Sequence, residues 1–288
     1  DYDINNVTLI FNENLNSCKN MFYGRNNITE INLTNFIASK VTSMNSMFYG
    51  CYNLKKIEFG NIKTSSVKDM GNLFRECQNL LSIDLSNFDT SSVTDMVCMF
   101  YHCEKIKYID ASSFNTSNVE DMGWLFWGCY NLVAVNVLSF DTSKVTNMWS
   151  MFALCRNIKY LDLHNFSGNS VEIMYYMFYN CSSLIYLNLK SFQGTNLETD
   201  HSLYRIFDNV TNNLIYCTSE SKIISKLSNK ISDCHNSCFK ENYKFNMETN
   251  VCVESCNNYY EFKNMCYNDC PENTYKFINS NNNKKCIY

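Results

Sequence analysis

The sequence predicts an α/β repeat solenoid, a stack of coils that each hold a short strand and a short helix, closed by a small disulfide-rich tail. Three observations carry this expectation. One spelling returns at a fixed interval over 15–196, with VKDMGNLFRECQNLLSIDLSNFDTSS at 67–92 as its clearest copy. Within each copy an alternating triplet precedes a stretch of helical apolar spacing. The repeat degrades beyond residue 196, and from residue 234 cysteines crowd the chain.

The register is strict. Val41, Val67, Val93, Val119, Val145 and Val171 differ by 26 each time, and Phe22, Phe48, Phe74, Phe100, Phe126, Phe152 and Phe178 do the same. A fixed period of this size signals a solenoid. A unit so small cannot bury its own apolar face, so the neighbouring coils supply the core.

In chain order, residues 1–14 hold half a coil, since Val7 and Ile10 precede Leu33 and Phe36 by one period, and the chain is expected to extend further upstream. Seven coils fill 15–196. In each, a triplet such as Ile57-Glu-Phe, Ile109-Asp-Ala or Leu187-Asn-Leu points two apolar side chains inward and one residue outward, which is strand periodicity. Stacked, these triplets make one parallel sheet. Ser66 and Ser92 stand three residues before Asp69 and Asp95, approximating a capping box. A helix is therefore expected there, with Val67, Met70, Leu73, Phe74 and Cys77 as its inward stripe. Residues 197–233, with LIYC at 214–217 followed by SKIISKLSNKI, form a C-terminal cap of one strand and one amphipathic helix. Residues 234–288 are the tail.

Composition narrows the function. The 288 residues carry a net charge of −4 with no basic run, so no nucleic-acid partner is indicated. No apolar run is long enough to span a bilayer. Sequons at Asn6, Asn27, Asn32, Asn115, Asn165, Asn180 and Asn209 fit a secreted chain and are candidate glycosylation sites. The histidines His102, His164, His201 and His235 fall at unrelated repeat positions, with no nucleophile motif or phosphate-binding glycine loop. No enzyme activity, cofactor or metal is expected.

The L-x-x-I-x-L-x-x-F spacing of Leu80, Ile83, Leu85 and Phe88 resembles leucine-rich repeats. The phrase LSNFDTSSVTDM, followed by Met-Phe-x-x-Cys, is similar to the BspA-like surface-protein subclass. That resemblance covers about 15–196 and implies a right-handed, curved coil stack, an extracellular or cell-surface location, and adhesion or binding of protein or glycan ligands. Phe stands where many leucine-rich repeats carry Asn.

Cysteine falls into two populations. The tail repeats Cys-x-x-x-Cys three times and is similar to furin-like and growth-factor-receptor modules. That similarity suggests bridges Cys238–Cys252, Cys256–Cys266 and Cys270–Cys286, leaving Cys234 for Cys217. The rival is a zinc site at Cys234, Cys238, Cys252 and Cys256. The second population is the column Cys51, Cys77, Cys103, Cys129, Cys155 and Cys181. Stacked coils sit about 4.8 Å apart, too far for regular bridging. Free buried thiols are the preferred reading over a redox or metal ladder, and Cys18 and Cys98 are also read as unpaired.

Three surfaces are candidates for ligand binding. Asp84, Asp110 and Asp162, with Glu58, Asn136 and Asn188, form a polar column on the sheet. It reads as a solvated row, with a Ca²⁺ site as the alternative. Tyr108, Tyr160 and Tyr186 form an adjoining column with Lys56, Ser82 and Ala134, a leading partner surface. Trp124, Trp127 and Trp149, all the tryptophans of the chain, lie off the inward stripe on adjacent coils. They are either a contact patch or peripheral core. The function expected is non-enzymatic recognition. The alternative is a structural component of a coat, matrix or appendage that self-associates.

Overall fold

The structure, a computed structural model, describes residues 15–197, 199–227 and 230–232, and beyond them the backbone of six tail strands. Each coil except the one that contains 82–84 places a short strand on one face. These are β1 (Glu30–Asn32), β2 (Lys56–Glu58), β3 (Tyr108–Asp110), β4 (Ala134–Asn136), β5 (Tyr160–Asp162), β6 (Tyr186–Asn188), β7 (Ile215–Cys217) and β8 (Ile231–Ser232). Pairing is parallel throughout, with equivalent repeat positions in register, as in Ile31 with Ile57 and Leu161 with Leu187. The expected single sheet is divided into β1–β2, β3–β4 and β5–β6–β7–β8. One break falls between β4 and β5 and the other at 82–84, where Ile83 stays buried and Leu81 N–H still reaches the Lys55 carbonyl at 3.2 Å. Nothing in the side chains there explains it.

The repeat helix expected after each strand does not form. Among the described residues the helices are single turns, α1 (Thr199–Ser202) and α2 (Ser221–Ile224). In the helix's place, parallel one-residue bridges run Ser17, Ser43, Asp69, Asp95, Asp121, Asn147, Ile173, and each opens a train of overlapping turns. In the coil at 70–77 the N–H groups of Met70, Asn72, Phe74 and Glu76 donate to Asp95, Val97, Met99 and Tyr101 of the next coil, at 2.6–3.0 Å. Those of Leu73, Arg75 and Cys77 close turns on Met70, Asn72 and Phe74. A helix directs its N–H groups along its own axis, so it has none to offer sideways.

Alternate donation requires the backbone to enter the left-handed region twice per coil, as at Asn72 (φ 56) and Glu76 (φ 60). Gly24, Gly50 and Gly128 fill the second of these positions at φ 66–71, where a glycine is unstrained. The expected capping box has a different role. Asp69, Asp95 and Asp121 each accept the N–H two residues on, at 2.7–3.0 Å, which fixes the entry turn rather than a helix start.

Between the two faces lies an apolar core, stacked like on like. Phe22, Phe48, Phe74, Phe100, Phe126, Phe152, Phe178 and Phe207 form one continuous column with centroids 5.3–6.1 Å apart. Burying one such side chain contributes about 1.5–3 kcal/mol, and ring pairing adds about 1 kcal/mol. The thiol column is free and fully buried, as expected. Each thiol also serves as a donor: Cys77 Sγ reaches the Phe48 carbonyl at 3.2 Å and Cys103 Sγ the Phe74 carbonyl at 3.1 Å. Burial pushes the Cys181 thiol up to about 12 and the Cys98 thiol up to about 11, so neither offers a thiolate at neutral pH.

A threonine column clamps one corner. Buried Thr64, Thr90, Thr116 and Thr142 each donate to a carbonyl of the next coil and accept that same residue's N–H. For Thr116 the partner is Asp141, and both distances are 2.8 Å. The hydroxyl thus acts as a peptide group would between two strands.

Beyond Leu197 the offset between coils grows. Phe152 N–H donates to Met177, whereas Phe178 N–H donates to Ile206 and skips past the residue that the repeat would supply. The added residues fall beside α1. β7 and β8 then extend the sheet, and Cys217 at the end of β7 is buried and disulfide-bonded.

The tail strands are β9 (Lys244–Asn246), β10 (Val251–Val253), β11 (Tyr260–Phe262), β12 (Met265–Tyr267), β13 (Tyr275–Ile278) and β14 (Lys284–Ile287). They form three antiparallel hairpins joined by parallel contacts β9–β12 and β11–β14, where the sequence suggested only loops. Cys252, Cys266 and Cys286 sit on the second strand of each hairpin. The bridge and zinc assignments on Cys234, Cys238, Cys256 and Cys270 lie outside the described residues, as do residues 1–14 with their half coil and Asn6.

Two outcomes follow for stability. Thr116→Val removes both clamp bonds and leaves the Asp141 backbone groups unpaired, so urea unfolding shows a loss of about 1–3 kcal/mol, and Thr116→Ser recovers most of it. The second concerns Asp95, where burial first, then Asp69 and Asp121 on either side, hold the carboxyl above the usual range against the Val97 N–H. The folded state then binds that proton more tightly than the unfolded chain, and stability falls as pH rises from the ordinary aspartate range through the raised value. Asp95→Asn therefore raises the thermal midpoint by a few degrees near neutral pH, and the gain vanishes below about pH 4.

Candidate ligand-binding surface

The strand face places the acidic column at the exits of the strands. Asp84, Asp110 and Asp162 each accept the N–H two residues on, at 3.0–3.2 Å, and Asn136 and Asn188 do likewise at 3.3 and 3.1 Å. These side chains shape the turn that leaves the sheet. Asp84 is exposed and Glu58 partly so. At the C-terminal end the row is no longer solvated: Asp162 is 9% and Asn188 2% exposed. Burial pushes the Asp162 carboxyl up, opposed by His164, whose Nδ1 lies 3.0 Å from Oδ2. Among the described residues no group of three or more His, Cys, Asp or Glu side chains is placed to hold a metal ion.

The tyrosine column follows the same gradient. Tyr108 and Tyr160 are half-buried and Tyr186 is 3% exposed, with Tyr160 and Tyr186 stacked at 5.5 Å. Burial, with Tyr186 alongside, raises the Tyr160 phenol. This end of the sheet offers little open ring.

The turn face is different. Tyr23, Tyr49, Arg75, Tyr101 and Trp127 occupy one repeat position in successive coils. Tyr23 meets Tyr49 edge-on at 4.8 Å, and the Arg75 guanidinium lies 5.0 Å from the Tyr49 ring and 4.5 Å from Tyr101. Tyr101 stacks on Trp127 at 4.5 Å. A second run links Trp124, Trp149, Tyr175 and His201 at 4.5, 5.7 and 5.2 Å. All three tryptophans are half-buried. They are thus both peripheral packing and a surface ribbon, in contact with neighbouring rings and partly open to solvent.

Beside the ribbon a groove is lined by Tyr52, Glu76, Gln78 and His102. Tyr52 Oη donates to Glu76 Oε2 at 2.9 Å, and Arg75 Nε lies 3.7 Å from the other carboxylate oxygen. The His102 ring packs at 4.6 Å on Trp127 and 5.5 Å on Tyr130, with Nδ1 3.2 Å from Glu104 Oε1. Gly128 backs that ring: a side chain there would meet it at 3.4 Å. Glu76 and His102 hold the left-handed position that Gly24, Gly50 and Gly128 fill in other coils, with Leu154 and Asn180 at the far end of the column. Sequence reasoning missed this groove. Its signal was the replacement of glycine in that column by two ionisable residues in consecutive coils.

Of the described sequons, Asn27, Asn32, Asn115 and Asn209 are exposed. Asn165 is engaged inward, its amide donating to the Val137 and Phe140 carbonyls at 3.2 and 2.6 Å. No described helix is long and apolar enough to cross a membrane.

Among solved structures, the chain is similar to a leucine-rich repeat protein from Bacteroides ovatus at 16% identity and a TM-score of 0.32. The match covers 76% of this chain and 66% of that one, just under two thirds of its length. No curated protein matches. A family model described as "Mycoplasma protein of unknown function, DUF285" matches residues 16–109 and 102–217. Together these matches span well over half of the 288 residues, and the chain belongs to that family.

Proposed function

We propose that this protein is a non-enzymatic recognition protein of the cell surface or extracellular space, binding protein or glycan ligands through the outer face of its coil stack. The observation that carries this reading is the aromatic ribbon with its adjoining groove. Coil-to-coil stacking requires the same inward residue in every repeat, whereas Arg75, Glu76, His102, Trp124, Trp127 and Trp149 are particular to single coils. A rigid scaffold presents such residues at small entropic cost, and Trp, Tyr and Arg are the residue types that dominate binding energy at interfaces. The exposed sequons, and the proposed bridging of Cys217, Cys234, Cys238, Cys252, Cys256, Cys266, Cys270 and Cys286, suit an oxidising compartment. The strand-face residues Asp84, Asp110, Tyr108 and Tyr160 serve as a secondary contact surface in this reading.

The alternative, a coat or matrix component packing against its own copies, predicts association that grows with concentration. Sedimentation velocity across a hundredfold range of protein concentration distinguishes the two, and a monomer throughout supports recognition. The ligand reading is then tested on immobilised panels of glycans and of cell-surface proteins. Trp127→Ala is expected to weaken any captured ligand by about 2 kcal/mol, about thirtyfold in Kd. An equally tight Trp127→Ala, Trp124→Ala, Trp149→Ala triple variant would exclude the ribbon as the ligand surface.

A further inference from the structure

Resting on that recognition reading, we propose that the groove of Tyr52, Glu76, Gln78 and His102 is a subsite for one neutral pyranose residue of a glycan. The backbone is the first argument. Glu76 (φ 60) and His102 (φ 56) occupy the column where Gly24, Gly50 and Gly128 sit without strain. The left-handed region is unfavourable for a residue with a Cβ, and two such residues in adjacent coils line the same groove. Leu154, Asn180 and Asn209 fill the same column elsewhere, so what sets the groove apart is that its two non-glycine residues are ionisable and adjacent.

The lining then selects the ligand. Glu76 presents a carboxylate whose Oε2 is oriented by the Tyr52 hydroxyl at 2.9 Å. Gln78 brings an amide with both a donor and an acceptor end. His102 adds an imidazole whose Nδ1 lies 3.2 Å from Glu104 Oε1, with Nε2 as its second polar atom. Acceptors alternating with a donor over a short span match vicinal hydroxyl groups, each of which both donates and accepts.

Charge argues against an ionic ligand. The Glu76 carboxylate faces the Arg75 guanidinium at 3.7 Å, and the Tyr130 ring beside His102 already carries Arg156 at 4.7 Å. Glu76 is thus paired with Arg75 and the Tyr130 ring is taken by Arg156, so a lysine or arginine side chain meets a paired carboxylate and an occupied ring.

The test uses the whole chain and intrinsic tryptophan emission, since Trp127 lies 4.6 Å from the His102 ring. The probes are glucose, galactose, mannose and N-acetylglucosamine, with a lysine-rich peptide as the charged competitor. A saturable response to at least one sugar is expected, and it weakens at least tenfold in Glu76→Gly and in His102→Asn. Both variants place a residue tolerant of the left-handed backbone, so their thermal midpoints stay level or rise. Sugar responses that persist in both variants overturn the proposal, as does a response to the peptide and to no sugar. If the subsite alone is wrong, Glu76→Gly still captures ligand on the immobilised panels; if the recognition reading is wrong, the wild-type chain captures none.

Discussion

Backbone amides that no single coil can satisfy hold this molecule together. In every coil about half of the N–H groups on the turn face point along the stack, and their acceptors belong to the next coil. A buried amide without a partner costs about 1–3 kcal/mol, so one coil alone is unstable and each added coil stabilises its predecessor. The threonine hydroxyls extend the same ladder around a corner where the backbone turns away, and the cysteine thiols reach back to phenylalanine carbonyls. Stability in such a stack is a sum over adjacent coils.

This constraint divides the residues into two kinds. Inward columns of Phe, Met, Val and Cys must repeat, because each side chain packs on its own counterpart in the next coil. Outward positions carry no such demand. Left-handed sites fall between the two kinds: the stack fixes their backbone and leaves their side chain free. Glycine is the relaxed choice, and Gly50 and Gly128 bracket the pair Glu76 and His102, which depart from it. Specificity on a solenoid is therefore written in the residues that break the repeat.

The outward face also shows how packing and presentation coexist. Rings one coil apart in the same column meet because the coil spacing brings them to 4.5–4.8 Å. Arg75 extends the ribbon by lying between two tyrosines, so a charged residue completes an aromatic series. On the strand face the same stacking withdraws Tyr186 from solvent.

The sequence alone determined the period, the inward columns, the parallel pairing of equivalent positions and the unpaired thiols. Each follows from apolar spacing and from the separation of stacked coils. It could not decide between helix and turns for the segment after the bridge. Met70, Leu73, Phe74 and Cys77 face inward in both, and a side-chain pattern does not record which carbonyl an N–H reaches. Only the neighbouring coil, by offering Asp95, Val97, Met99 and Tyr101 as acceptors, settles that choice. The groove was hidden for the same reason, since Tyr52, Glu76 and His102 come from three coils and meet only once stacking fixes their separation.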